Sequence, residues 1–325
     1  MGNQQQEVKV PQIEFEQIVL RGCGIDVHSK NIVATIDGQG LPRETRTFDS
    51  FTGDLRELSS WLRSHEITHV AMESTGVYWK PVFNILGEDF TVLLVNARHL
   101  KNVPGRKTDK KDSEWICKLL LSGLLNKSYV PPETVRELRD LNRYAIKLTQ
   151  QHSAEINRIQ KILEDANIKL SEVVSDVEGK KARKMIQGLI LGEQSVEDIV
   201  SENYHKKLKA SKETLIKALT GRVTPHHKFM LTNIYAHMDY LEKQIEVINV
   251  EMDRLLTDSF DAINLLATIP GVGLASAKKI IAELGTDMSH FPSEKHLSKW
   301  AGMAPGNNES GGKKKVQQPL MATNI

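Results

Sequence analysis

The chain has 325 residues, 40% hydrophobic and 26% charged, with a formal net charge of +2. This is an ordinary soluble globular composition, and so small a net charge means that a nucleic-acid partner has to be read from local clusters. No run of about 18 apolar residues occurs, so no membrane span is expected.

The N-terminus MGNQQQEVKVPQ is polar and is not a signal peptide, and a cytoplasmic location is expected. Cys23 and Cys117 make no CxxC pair and no His/Cys metal spacing. Both lie in apolar runs and read as buried thiols of a reducing compartment.

Residues 1–17 read as a disordered tail. Residues 18–130 alternate strand and helix. IVLRGCGIDV and NIVATI are strands joined at HSK, and RETRTF is a third after the turn at Gly38, Gly40 and Pro42. DLRELSSWLRSH gathers Leu55, Leu58, Trp61 and Leu62 on one helical face. THVAMES is a buried strand ending in Glu73. VYWKPVFNIL is a helix with Pro81 in its first turn, TVLLVN is another buried strand, and a helix opens near Asp112. Three strands followed by βαβα predict an α/β domain with a mixed sheet.

Residues 131–257 change character. Leu138, Leu141, Ala145, Leu148, His152, Ile159 and Ile162 fit a heptad seam with His152 as a polar break. In a second long helix, Ile234, Met238, Leu241, Ile245, Ile248, Met252 and Leu255 alternate steps of 4 and 3, a coiled-coil seam within or between molecules. Residues 169–227 read as shorter helices, and 258–325 form a third region.

Asp26 ends the first strand, Glu73 ends another, and Asp109 and Asp112 sit where a helix begins after TVLLV. Ligands of open α/β sheets gather where strands end, so acids distant in the chain converge on one edge. Taken singly, each acid reads first as a turn or cap residue. As an ordered set they read as ligands for Mg²⁺, because like charges at one site are relieved by a divalent cation and carboxylate oxygens suit that ion. Two ions about 4 Å apart clamp the oxygens of a phosphoryl transfer. Lys101, Arg106, Lys107, Lys110, Lys111 and Lys118 crowd the later acids and favour a polyanionic substrate. Tyr78 and Trp79 read as core, or as a stacking platform for a base.

Pro270-Gly271-Val272-Gly273 lies between two predicted helices. The glycines permit a tight turn whose N–H groups face phosphate, a helix-hairpin-helix signature for a DNA backbone. In WAGMAPGNNESGGKKK, Ser310 stands in a Gly-rich basic loop before Lys313, Lys314 and Lys315. It reads as a loop residue, or as a nucleophile toward phosphate if lysines or a metal activate it.

GIDVHSK, MESTGVYW, NARHLKNVPGRKTDKKDSEW, IPGVG and WAGMAPGNNESGGK occur in that order. Together they resemble the DEDD-type insertion-sequence transposases, the family known as IS-one-ten (IS110). The resemblance spans about residues 20–315. It implies a RuvC-like, ribonuclease-H-like catalytic domain over 18–130 with Asp26, Glu73, Asp109 and Asp112 as the acidic tetrad. It implies a helical region over 131–257, and a small helical C-terminal transposase domain over 258–325 with Ser310 as catalytic serine. The chemistry implied is DNA recombination through a serine–DNA intermediate with Mg²⁺. The partners implied are DNA and copies of the chain, a dimer or tetramer. Arg106, Lys107, Lys110, Lys111, Gly271, Gly273, Lys313 and Lys314 are the expected nucleic-acid contacts. Some members are directed by an element-encoded structured RNA, which the resemblance leaves open here. The family pattern continues past SGGK, whereas this sequence ends in KKKVQQPLMATNI, so a C-terminal truncation is an expectation. Two readings compete with a transposase: a metal-dependent nuclease or junction resolvase that uses water, and a DNA-binding remnant that does not cut.

Overall fold

The computed structural model describes residues 18–74, 76–96, 100, 112–205 and 208–303, with the backbone of 309–310 and 313–314. RGCGIDV forms β1 (Arg21–Val27), the centre of a five-stranded sheet of order β3-β2-β1-β4-β5. β2 (Asn31–Gly38) runs antiparallel to β1 and to β3 (Leu41–Asp49), while β4 (His69–Glu73) is parallel to β1 and β5 (Thr91–Val95) is parallel to β4. Antiparallel neighbours need only short turns. The parallel ones require crossovers, supplied by α1 (Thr52–Ser64) and α2 (Trp79–Leu86). This mixed sheet is compatible with the ribonuclease-H-like fold expected from the resemblance.

Alternation along the strands sends residues to two faces. Cys23, Ile25, Ile32, Ile36, Val70 and Met72 pack with Leu55, Leu58 and Leu62 of α1 and Val82 and Leu86 of α2. On the opposite face, Ala71 and Val95 pack with Trp115, Ile116, Leu119 and Leu120 of α3 (Asp112–Leu121). The described residues fall into two compact units, one drawn from residues up to 130 and from 290 onward, the other from 131–289.

The second unit is built on two long helices, α4 (Glu133–Asp165) and α9 (Pro225–Leu255). Thr224 caps α9 with a reciprocal box to His227, and Pro225 opens its first turn. The contacts Asp165–His227, Glu155–His237 and His152–Glu242 step in opposite senses, so the two helices pack antiparallel. The predicted seams therefore meet inside one chain. Leu138, Ala145 and Leu148 pack with Leu241, Ile248 and Met252, and Ile159 packs with Ile234 and Met238. The shorter helices α5 (Leu170–Val173), α6 (Lys180–Leu191), α7 (Val196–Asn203) and α8 (Lys212–Leu219) cover one end of this pair through Met185, Ile186, Ile199, Leu215 and Leu219.

Met238 is fully buried at the junction of the α4–α9 seam with these shorter helices. Met238→Ala is expected to lower unfolding free energy by about 3 kcal/mol, the cost of lost transfer energy plus a residual cavity. Denaturant unfolding followed by helical circular dichroism measures it, and a loss below about 1 kcal/mol would show that the site collapses freely.

α10 (Phe260–Ala267) and α11 (Leu274–Leu284) form a helical hairpin in the same unit. Arg139 Nε donates to the Glu283 carbonyl at 2.7 Å, and Asn142 Nδ2 and Arg143 Nη2 donate to the Glu283 carboxylate at 3.2 and 3.1 Å. These bonds fasten the C-terminal end of α11 to α4.

From residue 290 the chain belongs to the first unit again. His290 stacks on Tyr129 with ring centroids 3.7 Å apart, ahead of α12 (Glu294–Trp300). The short strands β6 (Glu309–Ser310) and β7 (Lys313–Lys314) follow. Among the described residues no helix is long and apolar enough to cross a membrane.

Candidate active site

The site begins with the small residues of β1. Gly22, Gly24 and Asp26 share the face opposite Cys23, Ile25 and Val27, because strand side chains alternate. A Cβ on Gly24 would stand 2.2 Å from both the Ser113 carbonyl oxygen and the Cys117 backbone nitrogen. The missing side chain is therefore what lets α3 lie directly on the strand. Thr35 of β2 completes the seat, its Oγ1 2.8 Å from Ser113 Oγ and 2.9 Å from Thr45 Oγ1. Asp112, one residue before Ser113, is thus held beside β1 with its helix.

The sheet supplies the second acid. Parallel pairing matches Ile25 with Met72, so the next pair in step is Asp26 and Glu73, whose side chains share a face. Burial pushes the Asp26 carboxyl above the usual carboxylate range, and the charges of Asp112 and Glu73 push it the same way. His28 opposes them, with Nε2 3.1 Å from Asp26 Oδ2. Three acids from β1, β4 and α3 thus lie within electrostatic reach at the C-terminal edge of the parallel strands. Asp109 lies outside the described residues, as do Lys101, Arg106, Lys107, Lys110 and Lys111.

The neighbouring aromatics divide. Trp79 is buried and meets Phe83 edge-on at 5.6 Å, so it is core, whereas Tyr78 is exposed beside it. Neither cysteine has reactive character. Both are buried free thiols, Cys117 Sγ donates to the Gly22 carbonyl at 3.4 Å, and burial pushes the Cys117 thiol up to about 12.

Ser310 was expected in a loop, but its backbone lies in β6, paired with Lys313 of β7. Gly271 has φ +88°, which a residue with a Cβ rarely adopts, and Gly273 caps α11. A Cβ at either glycine would meet nothing within 4 Å, so packing does not require them.

Sequence reasoning overlooked Gly24, Thr35 and Ser113, which seat the helix that carries Asp112. The available signal was parity: Gly22, Gly24 and Asp26 fall on one strand face, with apolar residues on the other.

Residues 23–168 match the model of the transposase family DEDD_Tnp_IS110, and residues 263–322 match that of the Transposase IS116/IS110/IS902 family. The chain is 24% identical over 302 residues to the pilin gene-inverting protein of Moraxella lacunata, covering 89% of this chain and 73% of that protein. It is 23% identical over 252 residues to a probable family 20 transposase of Pseudomonas aeruginosa, covering 76% of this chain and 64% of the other. A shorter match, 35% over 89 residues, joins it to the transposase for insertion sequence element IS1328 of Yersinia enterocolitica, 27% of this chain and 26% of that one. With both family models falling in order along more than half of the sequence, and the first of them spanning the gathered acids, the chain belongs to the IS110 family of insertion-sequence transposases.

Proposed function

We propose that this transposase cuts and rejoins DNA through a covalent serine intermediate, in a reaction that requires a divalent cation held by Asp26, Glu73 and Asp112, with Asp109 as a fourth ligand. The observation that carries the reading is the convergence of Asp26, Glu73 and Asp112 from β1, β4 and α3 on one edge of the sheet, where the last two lie within electrostatic reach of the first. Such a set is unfavourable when ionised and fits a hard cation with oxygen ligands. Magnesium bound there would neutralise charge that develops on a phosphate.

In this reading the protein's own groups do the following. The Ser310 hydroxyl attacks phosphorus, the bond to one deoxyribose oxygen breaks, and that oxygen leaves with a proton as a strand-end hydroxyl. Attack by another strand's hydroxyl reverses the step and returns the proton to serine. Bond energy is conserved in the phosphoserine, so rejoining needs no nucleotide cofactor. Lys313 and Lys314 supply positive charge next to the serine, and Arg106, Lys107, Lys110 and Lys111 contact the DNA backbone near the acids. The α10–α11 hairpin offers a second backbone contact. The open space around Gly271 and Gly273 lets phosphate approach the main-chain N–H groups at the start of α11.

The test is Ser310→Ala with end-labelled element DNA and magnesium. The expected result is loss of the covalent protein–DNA adduct, with DNA binding retained. Cleavage that continues without an adduct would instead assign hydrolysis by water. A wild-type chain that binds DNA but never cuts it would overturn the recombinase reading for this chain.

A further inference from the structure

The α4–α9 pair carries a polar interruption that the acidic site does not use. His152 of α4, Glu178 in the turn before α6 and Glu242 of α9 bring one ligand atom each to a common point, all within 4.8 Å of one another. His152 Nε2 stands 3.1 Å from Glu178 Oε1 and 3.3 Å from Glu242 Oε1. Ligand atoms bound tetrahedrally to zinc, with bonds of about 2.0–2.1 Å, are separated by roughly 3.3 Å.

Hydrogen bonding alone does not account for the cluster. One ring nitrogen carries at most one proton, and here it is shared with Glu242. Glu178 Oε1 is buried and finds no hydrogen bond of acceptable geometry, although the same nitrogen is close to it. The Tyr235 hydroxyl, in a side chain only 5% exposed, also finds no hydrogen-bond partner and lies within electrostatic reach of Glu178. Charge is unbalanced as well. Arg183 offsets only part of this charge: its Nη1 donates to Glu242 Oε1 at 3.5 Å while its Nη2 pairs with Asp239, and Asp176 adds a further negative charge near Glu178. A cation between the three ligand atoms relieves each of these conditions, and a water on its remaining position could serve the tyrosine.

We propose that His152, Glu178 and Glu242 form a binding site for one divalent transition cation such as zinc, distinct from the acids of the sheet. Imidazole with two carboxylates suits zinc better than magnesium, which prefers oxygen ligands alone. The ion would tie α4, α9 and the segment leading into α6 together, fixing the shorter helices against the long pair.

The experiment uses the full chain, freed of metal, in an Asp26→Asn, Glu73→Gln background that weakens the other acidic site. Cobalt(II), a spectroscopic substitute for zinc, is added and followed by visible absorption and equilibrium dialysis. The expected result is one equivalent bound with an intense absorption of tetrahedral type, displaced by zinc. Adding His152→Ala should abolish that band, and adding Glu178→Gln should weaken binding at least about 10-fold, comparable with loss of a supporting residue in known metal sites. Circular dichroism checks that each variant is folded, and if His152→Ala is not, the Glu178→Gln arm decides. Absence of bound cobalt in the background protein, or binding that folded His152→Ala or Glu178→Gln leaves unchanged, would overturn the site and leave an imidazolium held between two carboxylates.

Discussion

Asp26→Asn is expected to yield a folded protein whose magnesium-dependent strand cleavage falls by about 1,000-fold, the upper range for loss of one charge-stabilising group at a reacting centre. The substitution keeps the shape of the side chain and removes its charge. Its effect on stability should have the opposite sign. Asp26 binds its proton more tightly in the folded protein than in the unfolded chain, because burial, Asp112 and Glu73 all disfavour the carboxylate. An acid whose folded pKa is raised costs stability progressively as pH rises from its unfolded value, about 3.9, through the raised folded value. Above that window the metal-free wild type carries the full cost and Asp26→Asn does not. The variant should therefore be as stable as wild type or more so at neutral pH without metal, and the difference should vanish below about pH 3. Cleavage assays and paired denaturant curves at two pH values measure both effects. Undiminished cleavage by the folded variant would remove Asp26 from the site, and lower stability at neutral pH would contradict the repulsion.

Gly24→Ala is expected to do more damage to the fold than any exposed substitution in the first unit. The new methyl would have to stand 2.2 Å from two backbone atoms of α3 and 2.8 Å from a third, Cys117 Cα. Backbone inside a helix cannot rotate away, so α3 must lift off the sheet as a body. Overpacking of this kind costs about 3 kcal/mol or more. Gly22→Ala provides the control. Its nearest neighbour is Leu120 Cδ2 at 2.9 Å, the end of a side chain that can change rotamer. That variant should lose only about 1 kcal/mol. Lifting α3 also displaces Asp112 relative to Asp26, and a shift of about 1 Å at a reacting centre can cost roughly 100-fold in rate. Gly24→Ala should therefore lose activity even where it remains folded at low temperature. Equal stability of the two alanine variants would show that α3 does not depend on the glycine.

Much of the first unit was legible in the sequence because its signals are local. Short apolar runs ending in acids marked β1 and β4, the Leu55–Leu62 face marked α1, and Pro81 sits in the first turn of α2 as expected. The 4-3 spacing from Ile234 to Leu255 likewise determined that a long helix with one apolar stripe would form. Pattern alone left open what covers such a stripe. Only the tertiary structure decided that α4 does, since burial is a property of two surfaces and a sequence shows one at a time. The acids follow the same division. Their positions at element ends could be read in the chain, but the approach of Glu73 to Asp26 depends on the register of β1 with β4, and the approach of Asp112 depends on a helix resting on Gly24. His152 was legible as an interruption of the seam. That Glu178 and Glu242 meet its one ring nitrogen follows from an antiparallel helix pair and a turn packed over it, contacts between residues far apart in the chain that no periodicity encodes.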